Sequence, residues 1–176
     1  MKRVILWLTV LVILAGLTGC GGSVGKSSSG SESKAKHDGL NKTFTLTDYE
    51  VTAIELIKRD GQNKEIEYFK PAEGNIFVGI IFDMKNISEK EKVFNIGSQF
   101  TAIIDNENIE KSDPAAFAFS DFETIGSRGL QKNESIKVCF PIEVPATAGI
   151  IRVEFSYKAG AQTETAFFEL DLSSAS

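Results

Sequence analysis

The chain has one histidine, one tryptophan and two cysteines in 176 residues, and each scarcity removes a class of function. The single histidine, His37, lies in a Gly/Ser-rich stretch with no other metal-ligating cluster around it, so it reads as a solvated linker residue. Everything else is thereby left without an imidazole for base catalysis. Trp7 falls in the N-terminal apolar run, so the rest of the chain lacks one common means of stacking on sugars. Basic residues are the minority, 19 Lys and Arg against 24 Asp and Glu, and no basic run occurs. A chain of net charge −5 is a poor match for nucleic-acid phosphates or anionic lipid head groups, so no nucleic-acid partner is expected. The N-terminal apolar run, residues 4–15, falls short of the roughly 20 residues that a membrane span needs.

What that run does offer is an export signal. Lys2 and Arg3 precede it, and the small residues Gly16, Thr18 and Gly19 follow. Leu17-Thr18-Gly19-Cys20 resembles a bacterial lipobox, in which the cysteine becomes the lipidated first residue of the mature chain. Residues 1–19 are then a lipoprotein signal peptide, and Cys20 is the lipidation site that makes the membrane a partner. The domain is expected at the cell membrane, facing outside the cytoplasm. The competing reading is an uncleaved N-terminal anchor with an incidental cysteine. Each buried lipid methylene contributes about 0.8 kcal/mol, so two or three chains hold where one does not. Cleavage removes two basic residues and no acid, taking the net charge from −5 to −7.

Residues 20–41 are a flexible Gly/Ser-rich tether. Five Gly and six Ser stand among residues 21–41, with too few apolar side chains to offset the entropy of ordering. Its r.m.s. span as a coil is roughly 25 Å.

Residues 42–172 have the length of one domain, followed by a short tail at 173–176. Apolar residues alternate with period two and turn signals recur about every ten residues, which predicts an all-β antiparallel sandwich or barrel. Strands are expected at 43–46 and 49–58, with a bend at Asp48, then a turn at 59–63 and a return strand at 65–69. Ile76-Phe77-Val78-Gly79-Ile80-Ile81-Phe82 is continuous rather than alternating and predicts a central strand covered on both faces. Gly79 leaves room there for a neighbour to approach. Short strands follow at 93–96 and 100–105, with a turn at Asn106-Glu107-Asn108. Oxygen-rich residues 105–108 would also suit calcium, but their spacing does not match the twelve-residue calcium loop, and no metal is expected. Residues 126–135 read as loop, with Gly129 and Asn133 as positive-φ positions.

Over 135–142, Ile136, Val138, Phe140 and Ile142 share one face, which puts Cys139 on the other. With Cys20 consumed by lipid, Cys139 has no disulfide partner, and with no histidine nearby it reads as a structural thiol rather than a nucleophile. Pro141 suggests a sheet edge or a strand end. Residues 150–158 and 163–172 form a final hairpin. Asp113-Pro114 followed by two alanines predicts one short helical turn. Phe117, Phe119 and Phe122 follow as a candidate segment that is either a lid over the sheet or an apolar patch for a partner.

Three motifs together carry a family resemblance. They are Asp83-Met84-Lys85-Asn86-Ile87-Ser88, Phe100-Thr101-Ala102-Ile103-Ile104-Asp105, and Asn133-Glu134-Ser135 leading to Phe140-Pro141-Ile142-Glu143-Val144-Pro145. Over residues 44–171 the chain resembles a bacterial domain-of-unknown-function family of Ig-like lipoproteins, fold-related to secreted mycobacterial immunogenic antigens. The resemblance implies an immunoglobulin-like β-sandwich and brings no catalytic residues and no cofactor. Lys132-Asn133 stands where relatives usually have Pro-Gly, and Asn106-Glu107 where Asp-Gly is common; asparagine tolerates the left-handed conformation in both. Some relatives carry labels suggesting repeat-DNA binding, which acidity and export oppose here. The Cys, Trp, Cys arrangement of antibody domains is absent.

Three functions from different classes follow. The first is a non-catalytic binding or interaction module at the cell envelope, meeting a protein or cell-wall partner through loops or a sheet face. The second is a small-ligand receptor lipoprotein with a pocket beneath residues 117–122. The third is an envelope hydrolase using paired acids such as Glu65 and Glu67 or Asp121 and Glu123, but these are spaced as solvent-facing pairs without a nucleophile and base. The expectation is therefore not an enzyme.

Overall fold

The computed structural model describes residues 39–59, 70–123 and 127–176. The signal peptide expected at 1–19, Cys20, His37, the part of the expected tether up to residue 38, and the return strand expected at 65–69 with Glu65 and Glu67 lie outside the described residues. The described chain is an all-β, immunoglobulin-like antiparallel sandwich. Its strands are β1 (Thr43–Thr45), β2 (Tyr49–Arg59), β3 (Asn75–Asn86), β4 (Lys92–Asn95), β5 (Phe100–Ile104), β6 (Glu107–Ile109), β7 (Ser127–Leu130), β8 (Ser135–Pro145), β9 (Ile150–Ala159) and β10 (Gln162–Asp171). Two short helices, α1 (Ile96–Gln99) and α2 (Asp113–Ala118), interrupt them.

One sheet has the order β1-β2-β3-β8 and the other β10-β9-β5-β6, while β4 and β7 form a separate ribbon. In immunoglobulin terms β2, β3 and β8 occupy the places of strands A, B and E, and β5, β9 and β10 those of C, F and G. Strand-to-strand alternation puts Val78, Ile80, Phe82 and Met84 of β3 and Val138, Phe140, Ile142 and Val144 of β8 on the inner face, against Ile151, Val153 and Phe155 of β9. Antibody domains join B to F by a disulfide at this depth. Here the Phe100 ring lies 4.7 Å from Phe82, 4.9 Å from Phe155 and 5.6 Å from Phe140, so an aromatic cluster does the joining.

β3 is central and covered on both faces. Its outer side chains Phe77 and Ile81 pack with Cys139 of β8 and with Ala115, Ala118 and Phe119 of the α2 segment. A bulge between Ala53 and Glu55 in β2 shifts the alternation by one residue, so that Leu56 faces the inner core and Ile57 joins Ile54 in that same outer layer. Ser112 caps α2, its hydroxyl accepting from the Ala115 backbone N–H at 3.2 Å.

The structure departs from several expectations. Among the described residues α-helix is found twice rather than once, because Asn95 caps α1 by accepting from the Ser98 N–H, so Ile96 begins a helix instead of ending a strand. Residues 127–130, expected as loop, pair with β4, and Gly129 is extended strand rather than a positive-φ position. The β5–β6 turn is the two residues Asp105 and Asn106, both with positive φ (51° and 68°), and Glu107 already pairs with Ile104. Both ends of the domain are tied down further than expected. Gly39 donates to the Glu169 carbonyl at 2.8 Å and Asn41 to that of Ala53 at 2.7 Å. The tail expected at 173–176 is a 3-10 turn, Leu172–Ser174, whose Leu172 is buried, and Ser176 exchanges backbone hydrogen bonds with Leu56 and Lys58.

Candidate functional site

Among the described residues no helix is long and apolar enough to cross a membrane. The segment singled out by its phenylalanines divides in two. Phe119 is fully buried with its ring against Gly79, where an added Cβ would meet ring atoms at 2.6 Å. Arg59 covers that ring, its guanidinium carbon 4.7 Å from the centroid, and also reaches the Ala118 carbonyl and Asp121 (3.0 Å). Phe122 is half-buried against the same layer, while Phe117 is 54% exposed. The space beneath residues 117–122, where a ligand pocket was a candidate, is occupied by the Phe119 ring. Cys139 lies in this layer, and burial pushes its thiol up to about 12, so it stays protonated and inert.

An opening is found elsewhere, a groove of about 570 Å³ between the β4–α1 segment and the β9–β10 hairpin. Its floor begins with the bend at Thr47-Asp48, closed by the Leu46 N–H donating to the Tyr49 carbonyl at 2.8 Å. Tyr49, the first residue of β2, turns inward and meets Tyr157 edge to face at 5.0 Å. The Tyr157 hydroxyl accepts from the Asp48 N–H at 2.9 Å and donates to Glu164 at 3.2 Å. Glu164 accepts in turn from the Thr47 N–H (2.8 Å) and hydroxyl (2.5 Å). Asp48, only 8% exposed, pairs with the Lys92 ammonium at 2.7 Å. Opposite these, Asn95 donates to the Ser127 hydroxyl at 2.7 Å and so fastens the wall that carries Ser98 and Gln99.

Electrostatics fix the protonation of this network. Burial, reinforced by the Asp48 charge, pushes the Tyr49 phenol up to about 12, and burial does the same for Tyr157. The Thr47 donors hold the Glu164 carboxyl below its ordinary value. At neutral pH both phenols are neutral and Glu164 is ionised. The arrangement suits recognition by hydrogen bonds, charge and apolar contact rather than proton transfer. Two further acids weighed as catalytic, Asp121 and Glu123, are ion-paired with Arg59 (3.0 Å) and Arg128 (3.5 Å). The oxygen-rich residues 105–108 form the β5–β6 turn and the start of β6. Among the described residues no cluster of three His, Cys, Asp or Glu side chains could hold a metal ion.

No part of the groove beyond a bend at Asp48 was legible in the sequence. Its walls come from five separated segments, and none of Lys92, Ser98, Tyr157 or Thr163 stands in a motif.

No family model and no curated protein sequence matches the chain. Solved structures are similar to it in fold. The yjhA protein of Bacillus subtilis superposes with a TM-score of 0.57 at 11% identity, covering 77% of this chain and 100% of its own. A conserved hypothetical protein from Bacillus anthracis gives 0.50 at 16% identity, covering 72% and 93%. The candidate lipoprotein ycdA of Bacillus subtilis gives 0.57 at 10% identity over 73% of this chain, which spans only 38% of the ycdA chain. At these identities the likeness is one of fold alone, shared with bacterial proteins of which one is described as a candidate lipoprotein.

Proposed function

We propose that the chain is an extracytoplasmic lipoprotein, held at the membrane through lipid on Cys20, whose immunoglobulin-like domain is a non-catalytic binding module for a partner in the cell envelope. The observation that carries this reading is the groove, an open cleft of about 570 Å³ lined by two neutral phenols, Tyr49 and Tyr157, and by the side chains of Asp48, Lys92, Ser98 and Thr163. The lipobox-like Leu17-Thr18-Gly19-Cys20 supports the anchor, and a structural likeness to a candidate lipoprotein is compatible with it.

Fractionation of the wild-type chain and of Cys20→Ala in the native envelope, followed by crosslinking, tests both halves. The wild type is expected with the membrane and in a discrete adduct, and Cys20→Ala in the soluble fraction without the mass of the lipid. Unchanged membrane association with no mass difference would refute the anchor. Absence of any adduct would refute the module.

A second reading, a small-ligand receptor, is favoured by the groove volume, which falls in the roughly 300–1,000 Å³ range of ligand pockets. A low-molecular-mass species retained by the folded chain in native mass spectrometry would select it.

A further inference from the structure

Among the described residues the two main sheets end in four edge strands, and three of these are closed by their shortness or by the chain itself. β1 and β6 are three residues each. The outer edge of β8 accepts the Ser112 N–H at the Pro141 carbonyl (3.0 Å) and donates from the Cys139 N–H to the Glu123 carbonyl (2.9 Å). The fourth, β10, is ten residues long and pairs with β9 without a bulge from Gln162 to Asp171. It contains no proline and no lysine, the residues that commonly blunt an edge.

Gly39 donates to the Glu169 carbonyl, so the odd-numbered residues of β10 turn their main-chain groups outward. Short of that bond, the N–H and C=O groups of Thr163, Thr165 and Phe167 have no main-chain partner among the described residues. A row of this kind is completed by another extended main chain. Glu164, the acid within the row, is held by Thr47 and Tyr157. The Phe167 ring is held under the Arg152 guanidinium, 4.4 Å from its centroid.

We propose that this edge pairs with the same edge of a second copy, antiparallel and about a two-fold axis at Thr165, joining the two β10-β9-β5-β6 sheets into one. An isologous seam must be self-complementary, and the free stretch is so in one register. With Thr165 opposite Thr165 of the second copy, Phe167 lies opposite Thr163 in both directions, and all three free residues of each copy are bonded. A shift one way sets Glu164 directly against its own copy, where like charges repel. A shift the other way brings Thr163 to Glu169, whose carbonyl Gly39 already occupies. The pairs in the allowed register, β-branched on β-branched and aromatic on β-branched, are favourable cross-strand neighbours.

This goes beyond the binding-module reading and does not use the groove, although Thr163 borders both. One strand pair buries less than the roughly 1,200 Å² of a standard interface, so the seam is weak in dilute solution and forms where copies are concentrated on one surface. In that respect it rests on the anchor at Cys20.

The test applies a short bifunctional thiol crosslinker to the full-length chain in its native envelope. Residues facing each other in a hydrogen-bonded antiparallel pair have Cα atoms about 5.5 Å apart. Phe167 and its copy are four residues out of step, roughly 14 Å along the strands. Thr165→Cys is therefore expected to give a species of twice the chain mass that neither the wild type, whose Cys139 is buried, nor Phe167→Cys gives. Thr163→Cys and Phe167→Cys, coexpressed, should give the same species although neither does alone, which reads the register without altering Thr165. A Thr165→Cys chain that melts as the wild type does and stays monomeric overturns the proposal. So does equal crosslinking of Phe167→Cys alone, or an adduct of Thr165→Cys with a different protein. Fractionation of the same samples reads the anchor, so its failure and that of the seam are separate results.

Discussion

Substituting Gly79 by alanine tests how the α2 segment is held to the sheet. Gly79 is extended and paired with Ile57 and Pro141, so alanine meets no backbone strain there. The obstacle is the Phe119 ring, whose Cε1, Cδ1 and Cζ would lie 2.6, 2.8 and 2.9 Å from the new Cβ. The ring cannot swing away, because Phe77, Ile81 and Cys139 pack around it and Arg59 covers it. Overpacking of this kind costs about 1–3 kcal/mol. Against that, replacing glycine restricts the unfolded chain and returns about 0.4–1 kcal/mol. The net expectation for Gly79→Ala is a loss of about 1–2 kcal/mol. Phe119→Ala alone should cost about 3–5 kcal/mol, as a fully buried phenylalanine does. In that background the alanine Cβ enters vacated space and its penalty disappears, so the double mutant should be more stable than the sum by about 1–3 kcal/mol. Urea denaturation of the four proteins measures this coupling. Additivity within about 0.5 kcal/mol would mean that the ring does not rest on Gly79. An unchanged midpoint in Phe119→Ala would mean that the segment is not part of the core.

Asn86→Ala should destabilise by about 2–4 kcal/mol in the same assay, because the buried amide donates to Lys90 and Leu130 carbonyls and accepts twice from Ser88, and its removal strands those groups. On the alkaline side the melting temperature should fall as pH rises from about 9 toward 12. Over that range the unfolded chain gives up the Cys139, Tyr49 and Tyr157 protons that the folded chain keeps; a flat profile would contradict the burial of all three. Thr47→Val should raise the Glu164 carboxyl back toward its ordinary value, read by NMR titration. The stability that Glu164 contributes above its unfolded value would then be lost at a higher pH on acidification than in the wild type. Asn106→Val should destabilise the β5–β6 hairpin because a β-branched residue resists φ of 68°, whereas Asn106→Gly should not; chemical denaturation separates the two.

What the sequence exposes, and what it hides, follows from the range of the forces involved. Period-two alternation is local, so β2, β9 and β10 were readable to within a residue, while β8 runs three residues beyond the stretch 135–142 in which its alternation was read. Continuity of the apolar run announced β3 as central, and Gly79 announced a close approach, since both reflect crowding felt along the strand itself. The motif ending in Asn86-Ile87-Ser88 also has a local cause, an amide that closes its own loop through Ser88 and Lys90. By contrast, β7 has only one buried residue, Leu130, and its strand state comes from pairing with β4 more than thirty residues earlier. The same limit applies to the tail, which carries no strand pattern and is held by main-chain bonds to β2.

The groove shows the limit most clearly, because no segment that builds it needs an unusual composition. Thr47 and Asp48 satisfy turn chemistry, Tyr157 satisfies strand alternation, and Lys92 is one of two lysines in the charged stretch 89–92. Only the third dimension brings the Lys92 ammonium to Asp48 and the Tyr157 hydroxyl between Asp48 and Glu164. A catalytic site would demand residue types whose chemistry stands out, such as an activated nucleophile beside a base. A binding surface demands shape and a mixture of apolar and hydrogen-bonding groups, and ordinary residues supply both. The phenylalanine-rich segment stands out in the sequence for the complementary reason. Its unusual composition serves burial, with Phe119 and Phe122 packed on the sheet, while the candidate contact lies where the composition is plain.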